Sequence, residues 1–305
     1  MRVMLVTNPK AGRSRGVAAA AQAEDEFRGA GWEVVSRPTT GPTDAAPLAR
    51  QAAERGFDLV VACGGDGTLS QVLAGLLDTG VPAGIVPAGT GNDLARTLGV
   101  SRLPRAAARQ LVDGRTVQID LLEVNDGALW SANVMGVGFD AAVAARISRG
   151  GRFAGRALAY LDAVLQEIVR HRPSQLRLRT PGREWQGKAL LVAVANGRSY
   201  GAGMKIAPQA EVDDGLLDIV LVEEVGRLGF LLNLPRVYAG THIHHPAVHT
   251  WRATEVVIET DRPCPVLADG DLRCETPIRV AVARRRAKLR VPHDSPVGRT
   301  ASAED

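Results

Sequence analysis

The sequence predicts a two-part chain, an α/β N-terminal domain with a parallel sheet followed by a C-terminal antiparallel β-sandwich domain. Three observations predict it. In the first third, short apolar runs alternate with segments of helical period, as in a parallel sheet with crossover helices. Further on, the pattern changes to short strand-like runs broken by Gly, Pro and Asp, as in a sandwich. The length, 305 residues, exceeds what one hydrophobic core usually organises, since domains cluster at roughly 100 to 200 residues.

Taken in order, Val3 to Val6, Trp32 to Val35, Leu59 to Ala62 and Gly84 to Val86 read as strands. Between them Val17 to Arg28, Ala45 to Arg55 and Thr68 to Leu77 read as helices, the last opening directly after a glycine run. A further helix is expected near Arg105 to Leu111. The second half offers Thr116 to Val124, Leu129 to Val134, Ala189 to Ala195, Leu216 to Val222, Glu255 to Glu259 and Ile278 to Val282 as strands. One helix interrupts them, Phe153 to Arg170, with Leu158, Leu161, Leu165, Ile168 and Val169 at helical spacing and a stop before Pro173. The expected division is 1–125, 126–291 and a disordered tail over 292–305.

Apolar residues make up 45% and charged residues 23%, ordinary globular usage. Cys63, Cys264 and Cys274 form no CxxC pair and are odd in number, so a disulfide framework is not indicated and a reducing cytoplasm fits. No run approaches the roughly 18 apolar residues needed to span a bilayer, so any membrane contact is expected to be peripheral. The net charge is +4, and basic residues gather at Arg284, Arg285, Arg286, Lys288 and Arg290. That run reads as a solvated charge cluster or an attractor of anionic headgroups. Aromatics at 4% offer no stacking platform for nucleic acid, which is not expected as a partner. A homodimer is compatible with the pattern.

The chemistry sits in loops. Gly64, Gly65, Asp66, Gly67 and Thr68 follow an apolar strand and open a helix, so backbone amides can approach a phosphate at a helix N-terminus. Asn8, Pro9, Lys10, Ala11 and Gly12 leave the first strand, and Gly89, Thr90, Gly91, Asn92 and Asp93 leave the fourth. Parallel strands bring all three loops to one sheet edge, where such sheets bind ligands. None is a Walker P-loop or a protein-kinase glycine loop. Gly136, Gly138 and Ala141 match GxGxxA, but in the antiparallel half and with no acid about 20 residues on, so a strand turn is the better reading than a dinucleotide site. His242, His244, His245 and His249 fit no zinc spacing and read as a polar loop.

Taken together, NPKAG, GGDGT and GTGNDLA in this order, with VDDGLLD and DGD further on, resemble the bacterial diacylglycerol kinases and the related sphingosine and ceramide kinases. The resemblance covers nearly the whole chain. It implies an enzyme with ATP in the cleft between the two domains and a lipid substrate at a membrane surface. It further implies nucleotide contact from Asn8 to Gly12, from Gly64 through Leu69 and Ser70, and from Thr90 and its neighbours to Asp93. Thr39 joins them, because the family's threonine stands five residues before the aspartate of a DA pair, here Asp44 and Ala45. Glu211, Asp214 and Leu216 resemble a structural magnesium site of one carboxylate and two main-chain oxygens, ligands that suit a hard cation. A hairpin turn is the plain alternative there.

Asp269, Gly270 and Asp271 match the family's DGE, whose last carboxylate takes the proton of the lipid hydroxyl. Here that acid is one methylene shorter, so Asp271 and Asp269 both stand as candidate bases. Asp66, Asp93 and Asp269 are expected near the catalytic ion, with Lys10 or Arg13 toward the phosphates. Ser70 replaces the usual asparagine. These two departures leave a non-catalytic nucleotide or lipid sensor open beside the lead reading of diacylglycerol phosphorylation. Sphingoid or other glycerolipid kinases and a nicotinamide dinucleotide kinase complete the alternatives.

Overall fold

The computed structural model describes residues 1–12, 14–148, 164, 166–168, 170 and 173–298. The N-terminal part runs β1 (Arg2–Thr7), α1 (Arg15–Gly29), β2 (Glu33–Pro38), α2 (Ala45–Glu54), β3 (Leu59–Gly64), α3 (Asp66–Leu76), β4 (Ala83–Pro87), α4 (Asp93–Thr97), α5 (Pro104–Val112) and β5 (Arg115–Ile119). The C-terminal part adds β6 (Leu122–Val124), β7 (Leu129–Ser131), β8 (Val134–Gly138), α6 (Phe139–Ser148), β9 (Ser174–Thr180), β10 (Arg183–Ala195) and β11 (Leu217–Glu223). It continues with α7 (Arg227–Ala239), β12 (Val248–Ala253), β13 (Glu255–Thr260), β14 (Pro265–Ala268), β15 (Asp271–Glu275), β16 (Ile278–Val282) and β17 (Ala287–Val291).

The first sheet has the order β2-β1-β3-β4-β17-β5, parallel throughout except for β5 against β17. Every residue of β3 and β4 is buried, which is why these strands read as unbroken apolar runs. Helices α1 and α5 pack together, as do α2 and α3, and enclose the core through Phe27, Leu73 and Leu111. β1, β3 and β4 deliver their carboxyl ends, and hence all three glycine loops, to one edge.

The second part is a network of eleven antiparallel strands. β10 carries it around the core. Its first half pairs with β9, its second with β8 and β11, and the register shifts between Ala189 and Leu191. Leu176, Leu178, Val192, Val194, Ile219, Val256, Ile258 and Val280 fill the space inside.

Several expectations need correction. Thr116 to Val124 is not one sandwich strand: β5 lies in the first sheet and β6 in the second, and the chain crosses between them at Asp120 and Leu121. The second part is not the end of the first, because β17 returns to insert between β4 and β5. Of the basic run, Lys288 and Arg290 lie on β17, while Arg284, Arg285 and Arg286 form the exposed bend that leads into it. Arg285 pairs with Asp78, Arg286 with Asp120, and Arg290 donates to the carbonyls of Leu111 and Val112, while Leu289 and Val291 are wholly buried. Pro292 to Gly298, expected in a disordered tail, packs too: Arg115 donates to the carbonyls of His293, Ser295 and Val297, and Asp213 accepts the Gly298 amide. The predicted helix Phe153 to Arg170 lies mostly outside the described residues, as does Arg13.

Candidate active site

The three loops touch because their glycines allow it. Gly12, at φ +53°, has room for no Cβ, which would stand 2.0 Å from the Ala88 carbonyl oxygen of the third loop. Gly89 is as tight, its Cβ position 2.6 Å from the Gly65 Cα. Polar bonds finish the join. The Asn8 amide donates to the Cys63 carbonyl at 3.0 Å, its side-chain nitrogen to Thr68 Oγ1 at 3.4 Å, and the Ala88 amide to the Gly64 carbonyl at 2.8 Å. Thr39 arrives at the same edge, its amide bonded to the Thr7 carbonyl. The hydroxyl of its neighbour Thr40 is engaged by Asp44 at 2.6 Å.

Helix α3 starts at this junction with no side-chain cap. Its first backbone amides, around Asp66 and Gly67, are the ones a helix leaves without internal partners, and with the dipole they favour an anion. In the third loop, the buried Asn92 Oδ1 has no hydrogen-bond partner, while its amide nitrogen donates to the Gly89 carbonyl. An uncapped helix start and an orphaned acceptor fit a polyphosphate ligand carrying donor groups, as ATP does. Not every predicted contact faces this space. Leu69 is buried in the core, and Ala11 and Gly12 are packed under the loop.

The aspartates divide into distinct roles. Asp66 accepts the amides of Asp93 and Leu94 at 2.9 and 3.1 Å and so ties the second loop to α4. Burial pushes its carboxyl up to about 7, against those two hydrogen bonds and with the help of Asp269 and Asp93 charge. Asp93 is buried and accepts from Ser199 Oγ at 3.1 Å and the Ala202 amide at 2.8 Å, joining the third loop to the second domain. Arg96 pairs with the same carboxylate.

Asp269 is the other clasp. Its carboxylate accepts from Ser70 Oγ at 2.6 Å, Ser131 Oγ at 2.9 Å, the Asn133 amide at 3.0 Å and the Ala132 amide at 3.2 Å. Burial raises its pKa, opposed by those donors. Ser70, expected to touch nucleotide, is thus buried and turned toward Asp269. Ser70 supplies a hydroxyl donor to Asp269, a contact the sequence did not disclose. Asp271 is different. Its side chain is 65% exposed, pairs with Arg273 at 2.8 Å, and lies over the start of α3, where a Cβ on Gly67 would be 3.3 Å from Asp271 Oδ2.

Glu211, Asp214 and Leu216 occupy the turn before β11. Asp214 Oδ1 accepts the Leu216 amide at 3.0 Å, and the buried Oδ2 has no hydrogen bond, with Arg252 at 3.4 Å. Asp218 Oδ2 is likewise orphaned, and Asp120 accepts the Gly215 amide at 2.7 Å. A surplus of buried oxygen acceptors fits a hard cation held by Asp214 with the Glu211 and Leu216 carbonyls. Among the described residues no cluster of three His, Cys, Asp or Glu side chains forms a metal centre.

Sequence reasoning missed Asp140. It opens α6, bonds the Ala141 amide at 2.8 Å, and burial pushes its carboxyl up to about 6. The glycine match is explained by it: a Cβ on Gly136 would stand 1.7 Å from Asp140 Oδ2, and Gly138 at φ +108° abuts the Leu190 carbonyl. The histidines are likewise engaged within the protein, His242 with the Ile206 carbonyl and His249 with Glu223.

Both parts of the chain are similar to known proteins. The diacylglycerol kinase catalytic domain matches residues 2–124, and the YegS C-terminal NAD kinase beta sandwich-like domain matches 133–291. The chain is 38% identical over 288 residues to a diacylglycerol kinase of Mycobacterium tuberculosis, covering 92% of each protein. It is 34% identical to a YegS-like lipid kinase of Pseudomonas aeruginosa over 100% of this chain and 99% of that one. Among solved structures, a diacylglycerol kinase from Bacillus anthracis superposes with a TM-score of 0.72 at 22% identity, covering 96% of this chain and 97% of that one, which bears on the fold alone. With matched domains on both sides of the junction and relatives aligned along almost its full length, the chain belongs to the diacylglycerol kinase and YegS-like lipid kinase family.

Proposed function

We propose that this chain is an ATP-dependent lipid kinase that phosphorylates diacylglycerol to phosphatidic acid at a membrane surface. The observation that carries the reading is the position of Asp271, an exposed carboxylate from the second domain lying over the uncapped start of α3 in the first. The amides at that helix start would hold the phosphates of a donor, and Asp271 stands at the same place to take a proton. The lipid hydroxyl oxygen attacks the γ-phosphorus, the bond to the β,γ-bridging oxygen breaks, ADP leaves, and the hydroxyl proton passes to Asp271. The protein contributes positioning and amide donors. Magnesium, when bound with the nucleotide, would supply countercharge. Asp66, Asp93 and Asp269 serve this reading chiefly as positioning residues, since hydrogen bonds to backbone or side chains occupy all three.

The match of the second domain to a NAD kinase-like sandwich keeps one other acceptor in view. Labelled ATP and magnesium incubated with the purified protein and a panel of diacylglycerol, sphingosine, monoacylglycerol and NAD decides between them. Labelled phosphatidic acid is the expected main product. Label in NAD alone would overturn the lipid reading, and label in sphingosine or monoacylglycerol in preference would move the substrate within it.

A further inference from the structure

Exposed large apolar side chains are expected singly on any surface. Here they are not evenly spread. Among the described residues eight are exposed, and four of them, Leu228, Leu231, Leu232 and Tyr238, lie on α7. Leu228, Leu231 and Leu232 stand at i, i+3 and i+4, and Pro235 and Tyr238 continue the same stripe at i+7 and i+10. Leu228 is 70% exposed and Leu232 69%, and no residue of the helix is buried. The opposite side holds the helix in place: Phe230 packs against Phe139 with the rings tilted by 53° and their centroids 4.7 Å apart, and Asn233, Leu234 and Val237 are half-buried.

The charge on the helix itself is of one sign. Arg227 opens the helix and Arg236 lies in its last turn, with no acidic residue between. Exposed Lys205 joins them at the carboxyl end, its amide bonded to the Val237 carbonyl at 3.0 Å. Just before the helix, Glu223 is paired with His249 and Glu224 is the exposed exception. An apolar face bordered by cations is the pattern of a helix lying in a membrane interface.

We propose that α7 docks the enzyme on an anionic lipid surface, with Leu228, Leu231, Leu232 and Tyr238 in the acyl boundary and Arg227, Arg236 and Lys205 at the headgroups. The inference rests on the lipid-kinase reading and deepens it by naming the face that meets the bilayer. A second copy of the chain across a two-fold axis would set these cations near one another, whereas anionic headgroups complement them. The helix is also tied to the catalytic junction twice. Phe139 directly follows β8, which pairs with β14 leading into Asp269, and Lys205 lies three residues after Ala202, whose amide holds Asp93. Docking by α7 therefore fixes the site's height above the membrane.

Flotation with vesicles of phosphatidylcholine, and of phosphatidylcholine mixed with phosphatidylglycerol, tests this directly. Wild type is expected to float with the anionic vesicles. A Leu228→Ser, Leu231→Ser, Leu232→Ser variant should lose at least about tenfold in vesicle affinity, because burial of those side chains drives the insertion. An Arg227→Gln, Arg236→Gln variant should lose the preference for anionic vesicles. Both are expected to keep the wild-type melting curve and the wild-type rate on a short-chain diacylglycerol dispersed as monomers. Unchanged flotation of the leucine variant would overturn the proposal, as would a wild-type dimer that the leucine changes dissociate without affecting flotation. Flotation of wild type without turnover of any lipid would strike the lipid-kinase reading and leave the docking surface standing.

Discussion

Asp269 and Asp271 are two residues apart and chemically identical, yet their surroundings give them different work. Four donors surround Asp269, while Asp271 is mostly exposed with one Arg273 partner. Asp271→Asn keeps the shape and removes the proton acceptor, so kcat is expected to fall by roughly 10² to 10⁴ with ATP affinity nearly unchanged. Steady-state kinetics beside calorimetry of ATP binding checks it. Asp269→Asn instead turns an amide nitrogen toward buried donors, and leaving one or two of them unsatisfied should cost about 2 to 4 kcal/mol of stability. Urea unfolding of the two variants, with only Asp269→Asn shifted, would separate the roles. Asp66 supplies a pH signature. Its carboxyl is raised to about 7, so between the ordinary carboxylate range and that pH the folded chain holds a proton that the unfolded chain has released. Stability should therefore fall as pH rises through this window, by at most about 1.4 kcal/mol per pH unit from this group. Asp140, raised to about 6, acts in the same direction at the lower end. Melting of nucleotide-free protein from pH 5 to 8 should show a slope that Asp66→Asn reduces, and an unchanged slope would contradict the assignment.

At the scale of elements, the glycine loops are the ends of β1, β3 and β4, and their chemistry follows from strand direction. Helix α3 presents an uncapped start because Gly65 precedes it where a Ser or Asp would have filled the site with its own side chain. The turn before β11 shows the reverse economy of groups, an excess of acceptors. Asp214 Oδ2 and Asp218 Oδ2 are buried without hydrogen bonds, and Arg252 approaches both carboxylates. If a divalent cation completes this turn, magnesium should raise the melting temperature of the wild type above its value in chelator. Asp214→Ala should remove most of that increment. An equal increment in both proteins would leave the turn an ordinary hairpin.

Across the whole molecule, carboxylates at the junction and one returning strand help hold the parts together. Asp93 and Asp269 each reach across the junction, and β17 brings the chain from the sandwich back into the first sheet. The N-terminal domain was legible almost throughout, because a parallel sheet buried on both faces writes itself as apolar runs separated by helical periods. The three loops were legible for the same reason, and the motifs they carry pointed to the family before any contact was known. The return of β17 was not legible. Its burial alternates with charge, as at Lys288 and Arg290, and nothing local distinguishes a strand that joins a distant sheet from a solvated basic run. The split of Thr116 to Val124 was hidden likewise, since both pieces have strand periodicity and only their partners differ. Local pattern and motif thus determined the fold class, the loops and the family by themselves, because periodicity and loop chemistry are properties of neighbours in sequence. Which aspartate is enclosed by donors and which stands exposed over α3, and that a leucine stripe faces outward, were decided only by the tertiary structure, because burial and hydrogen bonding depend on residues as far apart as Ser70 and Asp269.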